Sequence, residues 1–305
     1  MFEEKGSFKK MLENGEQVFA PSVWDCFSAK AVQMSGFKAM LLSGAAVSKS
    51  MIGMPDLGIM TADELIYATE RIAAFSPLPL IVDFDEGYGD SPLNVYRNVK
   101  RLVQAGAQGF TLDDGQGVRG YERLVYNRGT GRKPYDVMPM DVYLAKIKAA
   151  LAAVEGTDCV VIARTESRPI YGFDDAIERV ARAKELGAHM TLINRVNDLE
   201  ECKKVAANVP GWKMYPDVDV MPEGVPMVKM EDLKELGFNF VTVHYLEKGS
   251  MWGMLLYGKH NYQNQNAMFS VHHQMDGLTE EEKKEAFNIH GTQWLDLEKE
   301  FQTIK

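Results

Sequence analysis

Short apolar runs recur along the chain, each followed by a stretch whose apolar residues return every three or four positions. The runs predict strands over Gln17–Ala20, Ala39–Ser43, Leu80–Asp83, Gly109–Asp113, Cys159–Ala163, His189–Ile193, Trp212–Tyr215 and Asn239–His244. The helical spacing predicts helices over Thr61–Phe75, Leu93–Gln104, Pro139–Val154, Phe173–Leu186, Asp198–Ala207 and Glu231–Leu236. Several close on glycine, as in Ala105-Gly106-Ala107 and Leu186-Gly187-Ala188, because glycine accepts the left-handed backbone that ends a helix. A run such as Leu80-Ile81-Val82 is apolar throughout rather than alternating, as in a parallel sheet covered by helices on both faces. Eight such alternations predict an α/β chain folded as a (β/α)8 TIM barrel over residues 1–248. A doubly wound open sheet is the rival, but no Gly-x-Gly-x-x-Gly follows the first strand.

Two segments break this beat. Residues 115–137 form a 23-residue connection with Gly117, Gly120, Gly129 and Gly131 and the cations Arg119, Arg123, Arg128, Arg132 and Lys133. A connection of this length is a lid over a binding site or a solvated loop on an oligomer rim, and its charge favours the lid. Beyond Gly249, residues 249–305 exceed what eight units need and form a C-terminal helical arm. An apolar helix through Met251, Trp252, Met254, Leu255 and Tyr257 is followed by a polar link, Asn261 to Asn266. A final helix over Thr279–Phe301 carries Phe287, Trp294, Leu295 and Leu297. Exposed aromatics on such an arm predict packing on another subunit. His272 and His273 lie in this tail as surface residues.

Composition narrows the function. With 305 residues, 46% hydrophobic, the chain can bury a large core. A net charge of -9 with no basic stripe excludes a nucleic-acid partner. An anionic ligand must therefore meet positive charge that is local. Three cysteines, Cys26, Cys159 and Cys202, at unrelated spacings are read as packed thiols in a reducing cytoplasm. The polar start Met1 to Lys10 is unlike a signal peptide, and no apolar run approaches the roughly 18 residues a membrane helix needs.

In a barrel, chemistry belongs where strands end and the following loops begin. Asp83 and Asp85 share strand periodicity and are expected to point the same way at the end of the third strand. Two like charges there call for a cation, and hard oxygen ligands suit Mg2+, with Mn2+ possible. The alternative is a pair of solvated carboxylates that cap the next helix. Ser43-Gly44-Ala45-Ala46 leaves backbone N–H groups open to an anion, and Asp113, Asp114, Arg164, Glu166, Asn194, Arg195, Tyr215, Asp217, His244 and Tyr245 stand at other strand ends.

These residues resemble the isocitrate lyase and phosphoenolpyruvate mutase superfamily over roughly Ala20 to Leu246. The markers are Leu42-Ser43-Gly44-Ala45, Met54-Pro55-Asp56-Leu57-Gly58, Asp83-Phe84-Asp85-Glu86-Gly87-Tyr88-Gly89, Asp113-Asp114 and Ile162-Ala163-Arg164-Thr165-Glu166. The resemblance implies a helix-swapped barrel, a homotetramer with swapped C-terminal helices, and Mg2+ with a small 2-oxo or 2-hydroxy carboxylate. Asp83 would be the direct metal ligand, and Asp56, Asp85 and Asp113 would hold its waters. Trp24, Ser43, Gly44, Ala45, Arg164 and Asn194 would bind the substrate.

The departures are as informative. Isocitrate-type lyases carry Lys-Arg-Cys-Gly-His after strand four, and this chain has Gly117-Val118-Arg119-Gly120-Tyr121. The phosphonate branch has Glu-Asp-Lys where this chain has Asp113-Asp114-Gly115, and Asn194 stands where the lyases use Glu and the mutases His. Tyr121 is the candidate acid of the lid, with Arg164 and Asn194 as the other catalytic candidates. The expectation is a Mg2+-dependent lyase that cleaves a C–C bond of a small di-acid, by retro-aldol reaction or decarboxylation, through an enolate. A phosphonopyruvate-like substrate cleaved at P–C, or a non-catalytic carboxylate-binding relative, are the alternatives.

Overall fold

Eight parallel strands close into a barrel because each apolar run pairs with its neighbours in space and buries both faces. The computed structural model describes residues 5–117, 135–217, 228–273 and 275–303. In chain order the strands are β1 (Val18–Val23), β2 (Met40–Leu42), β3 (Leu80–Asp83) and β4 (Gly109–Leu112). A two-stranded antiparallel ribbon, β5 (Gly115–Gly117) and β6 (Tyr135–Val137), comes next. The barrel resumes with β7 (Val160–Thr165), β8 (Met190–Ile193), β9 (Trp212–Tyr215) and β10 (Phe238–Val243). The ring closes in the order β1-β10-β9-β8-β7-β4-β3-β2. The ribbon ties the two ends of the long connection together; its interior lies outside the described residues.

The barrel is filled rather than hollow. Ala20, Leu41, Ile81, Ile162, Leu192, Met214 and Phe240 pack together in its interior, as parallel barrels of this kind require. A helix over Phe8–Glu13, capped by Ser7, adds Phe8 and Leu12 to this cluster. The sequence reading took this start as merely polar and charged, although Phe8 is fully buried and meets Phe240 edge-on at 5.0 Å. Gln108, at the foot of β4, accepts from the Phe8 N–H (2.8 Å) and donates to the Gly6 carbonyl (2.7 Å). The start of the chain thereby covers the amino-terminal end of the barrel, and the carboxyl end is left for chemistry.

The six helices read from the sequence are found within a residue or two at each end. They are Ala62–Phe75, Pro92–Gln104, Met140–Val154, Phe173–Glu185, Leu199–Asn208 and Met230–Glu235. The first starts at a capping box in which Thr61 and Glu64 bond each other's backbone, which fixes the entry of the chain. The arm differs from expectation. Its first helix runs Leu246–Asn264, across the expected division at 248 and through most of the expected polar link. The single final helix is broken into Glu280–Phe287 and Gly291–Gln302, with His290 at a positive φ of 55° between them. His272 and His273 are exposed, as read, and His273 packs on Phe269. All three cysteines are free thiols; burial pushes Cys159 and Cys202 up to about 12, whereas Cys26 is only half-buried.

A buried polar network locks β4, β7 and the helix Phe173–Glu185 together. Asp114, fully buried, accepts from Thr165 Oγ1 (2.6 Å), from the Glu166 N–H (2.8 Å) and from Arg179 Nη1 (3.3 Å). Arg179 also donates to the Met138 carbonyl (2.9 Å) and to Asp175 (2.8 Å). Burial pushes the Asp114 carboxyl up to about 6 in spite of these donors. A carboxylate taken out of water is tolerated here because every lone pair in use meets a donor.

Two substitutions test this packing. Phe8→Ala is expected to lower stability by about 3–5 kcal/mol in chemical denaturation, since the helix that carries it cannot collapse into the space. Asp114→Ala is expected to cost about 3–5 kcal/mol by removing the fully buried one of the two acids paired with Arg179 and leaving it to the more exposed Asp175, and the double change Asp114→Ala with Arg179→Met should recover part of that loss.

Candidate active site

The carboxyl ends of β3, β4 and β7 bring three acidic side chains onto one guanidinium. Asp83 is the last residue of β3 and pairs in register with Thr111 of β4. Its Oδ1 accepts from Thr111 Oγ1 (2.8 Å) and from Arg164 Nη1 (3.0 Å). Arg164, on β7, donates through Nε to Glu166 (2.6 Å) and lies 3.9 Å from Asp113 Oδ2. Asp113 follows β4, is fully buried, and accepts from the Gly115 N–H (2.9 Å). Asn194, just past β8, donates to both oxygens of Glu166 at 2.9 and 2.7 Å. One chain of charge-assisted bonds thus runs from Asn194 through Glu166 and Arg164 to Asp83, and charge-assisted bonds are the strong ones.

Asp85 reaches the same mouth by another route than the one the sequence suggested. The strand ends at Asp83, so strand periodicity does not orient Asp85; its backbone is left-handed, with φ of 48°. Gly87 and Tyr88 are also at positive φ, 88° and 55°. A turn so disfavoured for side-chain-bearing residues persists only where the surroundings hold it. Here each of its carbonyls is held. The Asp113 N–H donates to Asp85 O (2.8 Å), Lys146 Nζ to Glu86 O (3.1 Å), and Asn98 Nδ2 to Gly87 O and Tyr88 O (3.2 and 3.1 Å). The Tyr88 hydroxyl donates to Asp85 Oδ2 (2.8 Å). Lys146 is almost wholly buried, and desolvation lowers its pKa, the cost of holding an ammonium against a carbonyl. At Gly87 an added Cβ would meet Val95 at 2.9 Å, so glycine is needed there for space as well as for φ.

Ser43 and Gly44 stand beside these carboxylates. A Cβ on Gly44 would lie 3.7 Å from the Asp83 carbonyl oxygen and 3.8 Å from Asp85 Oδ2, so the Gly44 backbone runs against the acidic cluster. Ser43 is buried and its Oγ accepts from the Ala46 N–H (3.3 Å), capping the short helix Gly44–Val47; Ala45 is half-buried. Asp56 is half-buried on the loop before the helix Ala62–Phe75. Trp24 lies at the end of β1, where with Phe27, Ala46, Leu246, Met251 and Met254 it lines an apolar cavity of 570 Å³ beneath the arm. Tyr121, Arg119, Arg123, Arg128, Arg132 and Lys133 lie outside the described residues.

The donor set fits a hydrated magnesium ion. Asp83, Asp85 and Asp113 offer hard oxygens at one mouth, and among the described residues no three acidic, His or Cys side chains close into a cage. Mg2+ is bound through one or two carboxylates and keeps several waters, so Asp83 with Asp85 or Asp113 is the donor set that would hold it. The far wall carries a second polar pair. His244, just past β10, is bonded through Nδ1 to Asp217 Oδ1, just past β9. Desolvation opposes its charge, but the bond to Asp217 and the charges of Asp217 and Asp83 outweigh that and, against Arg164, hold its pKa above the ordinary imidazole value.

Sequence reasoning had noted Glu166 at a strand end without a role, and it overlooked Thr111, Tyr88, Asn98 and Lys146. The first could have been suspected from its spacing, since residues two apart on a strand share a face and Arg164 and Glu166 are so spaced. Thr111, Asn98 and Lys146 come from a neighbouring strand or from helices and leave no local signal, whereas Tyr88 stands in the same turn as Asp85.

A family model described as phosphoenolpyruvate phosphomutase matches residues 8–251. The petal death protein of Dianthus caryophyllus is 35% identical over 242 residues, which span 78% of this chain and 72% of that protein. The 2,3-dimethylmalate lyase of Eubacterium barkeri is 30% identical over 238 residues, 77% of this chain and 78% of that one. A solved structure of oxaloacetate acetylhydrolase in complex with the inhibitor 3,3-difluorooxalacetate aligns with a TM-score of 0.79 at 25% identity, covering 95% of each chain. With the barrel, the acidic mouth and a match over most of its length, this chain belongs to the isocitrate lyase and phosphoenolpyruvate mutase superfamily.

Proposed function

We propose that this protein is a Mg2+-dependent lyase that cleaves a carbon–carbon bond of a small 2-oxo or 2-hydroxy di-acid through an enolate. The observation that carries the reading is Arg164, a guanidinium at the barrel mouth flanked by Asp83, Asp113 and Glu166. Guanidinium binds carboxylate through two parallel N–H bonds, so a substrate carboxylate would take the place of one of these acidic partners on the fork. The names of relatives support the class: one is a dimethylmalate lyase, and another was solved with a fluorinated oxaloacetate.

Each group then has a task. Glu166, held by Asn194, orients the Arg164 fork, and the Gly44 backbone runs beside the acidic cluster, where its N–H would be offered to a substrate oxygen. Asp83 would hold the metal directly, with Asp85, Asp113 and Asp56 around its waters. When bound, the ion supplies positive charge to the oxygen that becomes negative as the bond parts. Backbone N–H groups aimed at that oxygen act in the same sense and cost no reorganisation. The donors around residues 85–88 keep Asp85 placed whether or not substrate is present.

The arm extends the proposal to assembly. No residue of the helix Leu246–Asn264 is buried, and Met251, Trp252, Met254 and Leu255 are all more than half exposed. A second copy of the chain would cover this face, with swapped helices and a homotetramer as the arrangement expected of it.

Pyruvate or a related 2-oxo acid should be released from at least one member of a panel of 2-substituted malates and oxaloacetate, and only with Mg2+ or Mn2+ present. Asp83→Ala should abolish release. Arg164→Lys, which keeps the charge but loses the fork, should raise KM at least tenfold. Product formed at full rate in chelator would refute the metal role. Sedimentation of the intact chain as a monomer would refute the assembly.

A further inference from the structure

We propose that Tyr88 biases the acidic mouth toward Mg2+ and against Ca2+, by holding one oxygen of Asp85 so that this carboxylate cannot offer both of its oxygens to an ion. The inference rests on the metal role in the lyase reading and concerns which ion that role admits.

The carboxylates at the mouth share one feature: in each, one oxygen is already engaged by a protein donor. Asp83 Oδ1 accepts from Thr111 Oγ1 (2.8 Å) and from Arg164 Nη1 (3.0 Å). Asp113 Oδ1 accepts from the Gly115 N–H (2.9 Å). Asp85 Oδ2 accepts from the Tyr88 hydroxyl (2.8 Å). None of these three side chains can close on an ion with both oxygens without giving up a hydrogen bond to a charged group, and such bonds are the strong ones.

The two ions differ in that demand. Mg2+ is small, keeps several of its waters and takes carboxylates sparingly. Ca2+ is larger, gathers more oxygens and readily takes both from one carboxylate, so ligand number and flexibility decide between them. A site whose acids each present one oxygen suits the first ion. It also keeps the water positions into which a substrate oxygen can move, whereas an ion wrapped by both oxygens of its acids has filled them.

Tyr88 holds its oxygen firmly because the hydroxyl cannot follow a turning carboxylate. Its backbone is left-handed, with φ of 55°, and its carbonyl accepts from Asn98 Nδ2 (3.1 Å). Its ring rests on Phe84 at 5.3 Å between centroids, and Phe84 is fully buried and meets Phe110 edge-on at 5.9 Å. Asp85 is held as firmly. It is buried, its φ is 48°, and its carbonyl accepts from the Asp113 N–H (2.8 Å). The Gly44 backbone closes the other side, since a Cβ there would lie 3.8 Å from the same Oδ2. Donor and acceptor are thus fixed separately, and their bond is the element that one side-chain change removes. At Asp113 the donor is backbone, and at Asp83 a second donor remains if Thr111 is changed.

The test is calorimetric titration of the full-length chain, stripped with chelator, with MgCl2 and with CaCl2. Tyr88→Phe keeps the ring on Phe84 and removes only the hydroxyl. It should tighten Ca2+ binding roughly tenfold while the Mg2+ Kd moves less than about threefold, because only Ca2+ calls on the second oxygen. Thr111→Val, which leaves Arg164 on Asp83 Oδ1, should move the ratio of the two Kd values by less than about threefold. In an Asp85→Asn background, Tyr88→Phe should no longer change that ratio, since the hydroxyl acts through Asp85. If Tyr88→Phe weakens both ions alike or leaves their ratio in place, Tyr88 serves only the packing of the turn; the inference falls and the lyase reading stands. A change of ratio that persists in the Asp85→Asn background overturns it as well. If neither Mg2+ nor Mn2+ binds the wild-type chain, the metal role falls and this inference with it.

Discussion

Arg164 is shared. Asp83, Asp113 and Glu166 all lean on it, each from a different place in the sequence, and none of them is well exposed to water. Removing a carboxylate from water is costly unless it is paired and hydrogen-bonded, and one guanidinium with its fixed fork can serve several acids only if their backbones are held rigidly. The barrel provides that rigidity. Closure fixes the spacing of β3, β4 and β7, and the register of β3 against β4 sets Thr111 directly beside Asp83. The Asp114–Arg179 network behind the site anchors Glu166 through its own N–H, so the outer ion network rests on an inner one.

The Asp85 turn shows the same dependence at the level of the backbone. Three of its four residues sit at positive φ, and two of those bear side chains, a conformation that local preference opposes. It stands because donors from two helices and from the end of β4 occupy its carbonyls. Strain held in this way keeps a carboxylate aimed at the mouth without the freedom an exposed loop would have. The opposite wall is looser: His244 and Asp217 are both exposed, and their mutual bond rather than packing sets the ring. A rigid acidic wall thus faces a more open one across the mouth.

The fold was largely legible in the chain itself. Eight apolar runs separated by helical spacing admit few closed arrangements, and in the structure Thr61, Ser91 and Asp198 cap the helices that follow them. What local pattern misjudged was local in appearance only. Phe8 looked like part of a polar start because its partner, Phe240, is more than two hundred residues away. The final helix looked continuous because its composition is uniform, yet the His290 ring packs on Phe75 and bonds its carbonyl where the break falls. Asp85 looked like a strand residue because period two continued past the strand's end.

The sequence by itself determined the class of fold and the list of chemically capable residues at strand ends, because strand and helix periods, glycine caps and acidic clusters are all short-range patterns. Only the tertiary structure decided who meets whom. It joined Asn194 to Glu166 and Arg164 to Asp83, set Lys146 beneath a turn sixty residues earlier, and put His244 across from the acidic wall. Those pairings depend on strand order and register around a closed ring, and no stretch of sequence short enough to read contains both partners.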